Sequence, residues 1–176
     1  ANTAARTVMA DVRPVAEISQ KVGLPMEVCT FIGSSPIRRY AEDWTLEKML
    51  ATSEAAVTFA VKEGLEVMMV TEDTTRASPD VLKPLYTGAI EWGAKRICVS
   101  DTVGHATPDG VREVVRFVIE EIVEPSGEDI GVDWHGHRDR GFGLANTFAA
   151  IEAGVTRVHG TALGIAAAEI GQAEPF

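Results

Sequence analysis

The sequence VDWHGHRDRG, residues 132–141, marks the point where a strand gives way to a loop. An apolar run leads into it, and a helical run of small residues follows over 143–154. Residues two apart in a strand face the same side, so we expect His135 and His137 to share one face. Two neutral imidazoles held side by side make a metal-binding pair. The stretch therefore predicts chemistry at the carboxyl end of a strand.

The surroundings of the pair favour a metal site over a chance pattern. A His-x-His pair without context is more often a surface or core feature than a ligand pair. Here the pair stands where a strand turns into a loop, and Asp139 and Asn146 follow closely. Asn146, one turn into the next helix, is placed to orient metal ligands rather than to bind metal itself.

Composition indicates a soluble globular domain of a reducing compartment. The chain has 176 residues, 45% of them hydrophobic, which suffices for one domain with a sizeable core. No apolar run could span a bilayer, the start lacks a secretory signal, and a net charge of -10 without a Lys/Arg cluster argues against nucleic acid. Cys29 and Cys98 lie in apolar runs and are expected to be buried free thiols. We expect a cytoplasmic protein.

Strand and helix patterns alternate five times along the chain. The spacing of about 25 to 40 residues between strands is that of βα units, and the strands are apolar almost throughout, as parallel strands buried on both faces must be. Strands are predicted over 26–32, 65–70, 96–99, 130–134 and 156–158, and helices over 6–22 (beginning near Pro14), 45–62, 79–92, 108–122 and 143–152.

The predicted fold class is α/β, with parallel units of a TIM barrel. Polar residues follow every predicted strand and would form one ring at the carboxyl face. They are Ser34, Ser35, Glu72, Asp73, Asp101, Thr102, His135, His137 and Thr161. No Gly-x-Gly-x-x-Gly or P-loop marks a doubly wound nucleotide-binding sheet. A full barrel needs eight units and about 250 residues, so residues 1–176 are expected to form a single, partial domain of about five units.

Five loop motifs, in order, resemble the metal-dependent TIM-barrel (DRE-TIM metallolyase) family of isopropylmalate, homocitrate and citramalate synthases and hydroxymethylglutaryl-CoA lyase. The residues of these motifs are most similar to those of isopropylmalate synthase-like members. The resemblance rests on FIGSSPI at 31–37, TEDTTR at 71–76, SDTVG at 100–104, HGHRDRG at 135–141 and HGTALGI at 159–165, and it implies strands four to eight of the barrel.

The resemblance implies a role for each of eight residues. A divalent metal (Mg, Mn or Zn) would bind His135 and His137, supported by Asp139 and Asn146. Glu72 would serve acid–base chemistry, and substrate would contact Thr102, Ser35 and Arg76.

From the residues alone, other roles stay open for three of them. Glu72 could cap the next helix together with Asp73, Thr102 could be a turn residue, and Arg76 is favoured as an ion-pair partner of Glu72. His105 and His159 are not expected to be ligands, and Trp134 is expected in the core or in the barrel lining rather than as a stacking platform.

The chain also departs from the family pattern. The strand-one motif Asp-x-x-x-Arg-Asp-Gly-x-Gln, which gives the family a substrate-binding Arg and its third metal ligand, has no match here. Arg138 stands where the family has Asn, and residues 164–172 lack the usual Gly-x-Gly-Glu-Arg. The carboxyl-terminal subdomain of the synthases is also unmatched, so an incomplete active site is expected.

Three functions remain open at this point. The first is an acyltransferase of amino-acid (leucine) biosynthesis that condenses acetyl-CoA with a 2-oxo acid, as a homodimer with neither nucleic-acid nor membrane partners. The second is a lyase of the same family that cleaves a hydroxyacyl-CoA on the same metal site. The third is a catalytically incomplete partial barrel that acts by binding a partner, since an open sheet exposes apolar edges.

Overall fold

A parallel sheet with helices between its strands forms the framework of the chain. The computed structural model describes residues 1–161, and in that range the sheet has six strands paired in chain order. The strands are β1 (Asn2–Arg6), β2 (Glu27–Gly33), β3 (Glu66–Glu72), β4 (Arg96–Asp101), β5 (Gly131–Gly136) and β6 (Arg157–Val158).

Helices follow the strands in the order that the hydrophobic periodicity predicts. They are α1 (Met9–Val22), α2 (Pro36–Ala41), α3 (Leu46–Lys62), α4 (Pro79–Glu91), α5 (Pro108–Val118), α6 (Glu124–Ser126) and α7 (Gly143–Ala153). A 3₁₀ turn (Thr74–Arg76) follows β3, and a π turn (Ile119–Val123) joins α5 to α6. None of the helices in residues 1–161 has the length and apolar character needed to cross a bilayer.

The strand order identifies the architecture as part of a TIM barrel. A doubly wound sheet reverses its strand order at a switch point, whereas all five pairings within residues 1–161 are parallel and follow the chain. Sequential parallel strands with helices on the outside are the units of a (β/α)₈ barrel. The predicted fold class is confirmed, with one strand more than the five predicted.

The two faces of the sheet differ in composition because side chains alternate along each strand. The outer face packs against the helices in one large apolar cluster, to which the strands contribute Val28, Ile32, Val67, Met69, Ile97, Val99, Val132 and Trp134. On the inner face, Cys29, Met68 and Cys98 form a separate small cluster with Val70. Trp134 is therefore a core residue, which is one of the two positions predicted for it.

An ion pair across the inner face shows that the sheet curls. Arg157 on β6 donates from Nη2 to Oε2 of Glu27 on β2, at 2.8 Å. In a flat sheet these strands, four places apart, would be separated by about 19 Å, which is beyond the reach of two side chains. The inner face is therefore concave.

Strand β1 is the element that the sequence did not reveal. Among its residues, NTAAR, only Thr3 belongs to a type that favours strands, and only Ala5 is buried apolar. What places it in the sheet is its backbone pairing with β2, from Asn2 opposite Glu27 to Arg6 opposite Phe31. Strand β1 lacks an apolar run of its own, so the local sequence does not reveal it.

Several boundaries also differ from the prediction. Helix α1 begins at Met9, and Pro14 lies inside it on the exposed face, where water can satisfy the carbonyl that proline leaves unpaired. Helix α2 was not predicted. Strands β3, β4 and β5 each run about two residues further into their polar ends than predicted, so that Glu72 belongs to β3. The part of the last motif beyond Thr161 and the predicted departure at 164–172 lie outside the described residues.

A buried hydroxyl network offers a test of the sheet–helix packing. Tyr86 on α4 is fully buried, its hydroxyl donates to the carbonyl of Cys98 at 2.6 Å, and it lies 2.6 Å from Oγ1 of Thr71. Replacing Tyr86 by Phe removes both hydrogen bonds from a fully buried site, although the Thr71 hydroxyl keeps its contact with Oγ1 of Thr74 at 2.7 Å. At about 0.5–1.5 kcal/mol per bond, we expect a loss of about 1–3 kcal/mol in the free energy of unfolding.

Urea denaturation followed by circular dichroism measures this loss. Tyr40→Phe is the matched control, because Tyr40 is 89% exposed and is the only other tyrosine of the chain. Equal stability of the two variants would show that the buried hydroxyl contributes nothing.

Candidate active site

A cavity of about 320 Å³ opens on the concave inner face of the sheet. Four predicted site residues, Glu72, Thr102, His135 and His137, line it. The remaining lining residues are Asn2, Ala4, Cys29, Phe31, Met68, Val70, Cys98, Ser100 and His159. The cavity has the size of a small-molecule site, with an apolar wall and polar groups gathered near the carboxyl ends of the strands.

The two predicted metal ligands lie side by side. The ring centroids of His135 and His137 are 5.3 Å apart, as strand alternation requires. Burial, together with the charges of the neighbouring histidines, lowers the pKa of His135 to about 4, so its ring is neutral near pH 7. Nδ1 of His137 is buried and has no hydrogen-bond partner within residues 1–161. Both residues line the cavity, and their rings are candidate metal ligands there.

Gly136 makes room for the turn between the two histidines. It faces the outer side, where a Cβ would lie 2.6 Å from Nε1 of the buried Trp134 side chain. Any larger residue would push against this indole and displace the strand that carries His135 and His137. The glycine is a packing requirement of the site.

His159 lines the cavity beside the predicted histidine pair, although the sequence did not predict it as a site residue. Its ring lies edge-on to His135, with centroids 5.3 Å apart and the two Nδ1 atoms separated by 3.0 Å. The local sequence predicts this placement poorly, because β6 has only two residues. His159 reaches His135 through the pairing of β6 with β5. One signal was available in the sequence. Arg157 and His159 are two residues apart and so face the same side of their strand, which lies next to the strand that carries the histidine pair.

Below the histidines, a buried carboxylate collects three donors. Asp133 has a fully buried side chain and bonds Arg96 at 2.9 Å, Arg157 at 2.6 Å and His159 at 2.8 Å. Burial alone would raise the pKa of Asp133, but hydrogen bonds from His159, Arg157 and Arg96 outweigh it and hold the pKa below its ordinary value. The carboxylate is ionised and accepts hydrogen bonds only.

The charged residues after β3 pair differently from the prediction. Arg76 binds Asp73 through two hydrogen bonds of 2.8 and 2.6 Å, so the favoured Arg76–Glu72 ion pair is wrong. Glu72 instead pairs with Arg38 on α2, with Nε and Oε1 3.3 Å apart. The physical reason is strand alternation, which sends Glu72 to the inner face while Asp73 enters the turn with a positive φ of 65°. Glu72 ends a strand and does not cap a helix.

The hydroxyl of Thr102 acts as a hydrogen-bond acceptor within the protein. Its Oγ1 accepts a hydrogen bond from the backbone N–H of Asp73 at 2.8 Å. The hydroxyl proton can therefore point elsewhere, and the residue lines the cavity. This arrangement suits a donor to a carboxylate oxygen.

Asp101 organises the loops that carry these groups. Its buried carboxylate accepts from Oγ1 of Thr75 and from the backbone N–H of His105, both at 2.9 Å, while its carbonyl accepts from the N–H of His137 at 3.2 Å. Gly104, at a φ of 57°, permits close approach, since a Cβ there would lie 2.7 Å from the backbone nitrogen of Asp139. The loops after β4 and β5 are thereby fixed against each other.

The other four predicted site residues lie outside the cavity lining of the described chain. Ser35 is fully buried at the start of α2, and its hydroxyl has no partner within residues 1–161. Arg76 pairs with Asp73 as above, and Asp139 is exposed beside Gly104. Asn146 is buried and donates to the carbonyl of Ala106 at 2.9 Å rather than to a histidine. Their roles remain predictions.

The two cysteines are buried free thiols, as predicted. Burial raises the pKa of Cys29 to about 11, partly opposed by its hydrogen bond to Asn2, and burial also raises the pKa of Cys98. Both stay protonated near neutral pH. They contribute apolar volume to the cavity wall rather than nucleophiles.

Comparison with known sequences gives a consistent family. A sequence model of the HMGL-like family matches residues 2–173. The 2-isopropylmalate synthase of Sediminispirochaeta smaragdinae is 32% identical over 162 residues, which cover 92% of this chain and 32% of that protein. The 2-isopropylmalate synthase of Pyrococcus abyssi is 39% identical over 137 residues, covering 77% and 28%. The chain thus spans about a third of the length of these relatives.

Solved structures with the same fold include hydroxymethylglutaryl-CoA (HMG-CoA) lyases. The HMG-CoA lyase of Bacillus subtilis superposes with a TM-score of 0.76 at 20% identity, covering 98% of this chain and 58% of that chain. An HMG-CoA lyase of Acinetobacter baumannii in complex with coenzyme A and 3-methylmalate superposes with a TM-score of 0.68 at 21% identity, covering 90% and 50%. At these identities the likeness concerns the fold.

Proposed function

Because the chain belongs to the HMGL-like family, we propose that it carries part of the active site of a divalent-metal-dependent acyltransferase. The proposed reaction condenses acetyl-CoA with a 2-oxo acid, as in 2-isopropylmalate synthases. The observation that carries the proposal is the single cavity lined by His135, His137, Glu72 and Thr102. Identities of 32% and 39% to relatives named 2-isopropylmalate synthase support the choice of a synthase.

The two histidines fit a divalent metal as two of its ligands. His135 is neutral, His137 has a buried Nδ1 without a hydrogen-bond partner within the described chain, and both residues line the cavity. Residues 1–161 contain no group of three or more His, Cys, Asp or Glu side chains arranged for a metal, so other groups must complete the shell. A bound metal would act as a Lewis acid on the oxygens of the oxo acid.

Thr102 and Glu72 then have distinct roles in the proposed reaction. The Thr102 hydroxyl, which accepts from Asp73, would donate to the carboxylate of the oxo acid and so fix its orientation. Glu72 would exchange protons with the reacting groups, and its ion pair with Arg38 holds the carboxylate at the cavity edge. Phe31 and Val70 give the cavity an apolar wall on which the side chain of the oxo acid would pack.

A second candidate function is cleavage of a hydroxyacyl-CoA by the same site. The fold neighbours named HMG-CoA lyase, one of them in complex with coenzyme A and 3-methylmalate, favour it. Both reactions place oxygens of a small acid on the histidine pair. The ligand that the site prefers therefore distinguishes them.

The metal proposal is tested by calorimetric titration of the metal-free chain with Zn²⁺ and Mn²⁺. We expect one site per chain, and His135→Ala and His137→Ala should each weaken binding by about 100-fold or more, since loss of even a supporting partner costs 10–100-fold. His105→Ala is the matched control, because His105 is exposed in a loop and lies outside the cavity lining. Metal binding that survives both cavity substitutions, or that is absent in the unsubstituted chain, would contradict the proposal and favour a chain that acts through partner binding.

Ligand preference is tested on the metal-loaded chain by thermal shift with a series of 2-oxo acids and with 3-hydroxy-3-methylglutaryl-CoA. We expect stabilisation by a 2-oxo acid, and Thr102→Val should weaken its affinity by about tenfold through loss of one hydrogen bond. Thr102→Ser keeps the hydroxyl and should retain binding. Stabilisation by the hydroxyacyl-CoA alone would favour the lyase.

A further inference from the structure

We infer that Asp133 and His159 are positioning residues that fix the tautomer of His135, with its proton on Nδ1. The three side chains form a continuous chain of hydrogen bonds beneath the cavity. None of the roles proposed above uses Asp133 or His159.

The direction of the first hydrogen bond follows from the surroundings of Asp133. Its carboxylate is completely buried and bonds the guanidinium groups of Arg96 and Arg157. A carboxylate between two guanidinium groups is ionised and has no proton to donate. Nε2 of His159, 2.8 Å from Oδ2 of Asp133, must therefore carry the proton of this bond.

The second hydrogen bond follows from the first. An imidazole that carries a single proton has one N–H and one lone pair, so the singly protonated form of His159 that donates from Nε2 has its lone pair on Nδ1. That atom lies 3.0 Å from Nδ1 of His135, and two lone pairs at this distance would repel. Nδ1 of His135 must therefore donate, which leaves its own lone pair on Nε2.

The consequence for the site is an oriented ligand. Histidines that bind metals generally donate their other N–H to a carboxylate, carbonyl or water, which fixes the ring and its tautomer. Here a second histidine stands between the carboxylate and the ligand. The metal-binding part of this consequence rests on the proposed function, whereas the tautomer of His135 is a property of the metal-free chain.

Long-range ¹H–¹⁵N correlation spectra of the ¹⁵N-labelled, metal-free chain measure the tautomers directly. The chain has four histidines, which single substitutions assign. At about pH 8, above the ordinary pKa of imidazole, we expect His135 to show a protonated Nδ1 and an unprotonated Nε2, and His159 the reverse. A His135 protonated on Nε2, or a His159 protonated on both nitrogens, would overturn the inference.

Two substitutions of His159 separate positioning from folding. In His159→Gln the amide can still donate to Asp133 and accept from His135, so His135 should stay in the Nδ1–H form. In His159→Leu both bonds are lost, and we expect at least a several-fold rise in the Nε2–H form of His135.

His105→Gln is the matched control and should leave the His135 signals unchanged. A His159→Leu chain whose far-ultraviolet spectrum is native and whose His135 tautomer is unaltered would contradict the inference. The tautomer spectra decide this inference and the metal titration decides the proposed function, so the two can fail separately.

Discussion

The buried carboxylate of Asp133 is the charge on which the inner face of the sheet depends. Removing such a group from water costs several kcal/mol, and only well-placed donors offset that cost. Arg96, Arg157 and His159 supply them, and Arg157 extends the network to Glu27 across the concave face. The same cluster therefore joins β4, β5 and β6, holds β2 in the curved sheet and supports the histidines above it.

Alternation along β5 connects this charge to the proposed chemistry. Asp133, His135 and His137 share the inner face, so the strand carries its support and its functional groups in one line toward its carboxyl end. Val132, Trp134 and Gly136 face the helices, where Trp134 fills the core and Gly136 leaves space for its indole. A shift of register by one residue would exchange the two sets and place charges in the apolar core.

Features that depend on local pattern were predictable from the sequence. The parallel α/β class, five of the six strands within residues 1–161, the burial of Trp134 and both thiols, and the common face of His135 and His137 all follow from periodicity and composition. The gathering of Glu72 and Thr102 with the histidine pair followed from the rule that parallel strands end at one edge.

Features that depend on contacts between distant segments were not predictable. Strand β1 exists through its pairing with β2, and His159 enters the site through the pairing of β6 with β5. Arg76 could pair with Glu72 or with Asp73. Strand β3 ends two residues later than predicted, so Glu72 faces inward and Asp73 is the residue that binds Arg76. Asn146 was predicted to orient the metal ligands because of its place one turn into a helix, yet its side-chain amide donates to the carbonyl of Ala106.

We propose that His135 and His137 bind the metal and that His159 orients His135 through its hydrogen bond to Nδ1. X-ray absorption fine structure of the zinc-loaded chain counts imidazole ligands directly, in the unsubstituted chain and in the His159→Gln and His137→Ala variants. Two imidazoles in the unsubstituted chain, two in His159→Gln and one in His137→Ala is the result that we expect. Three imidazoles, falling to two in His159→Gln, would make His159 a ligand and contradict the account.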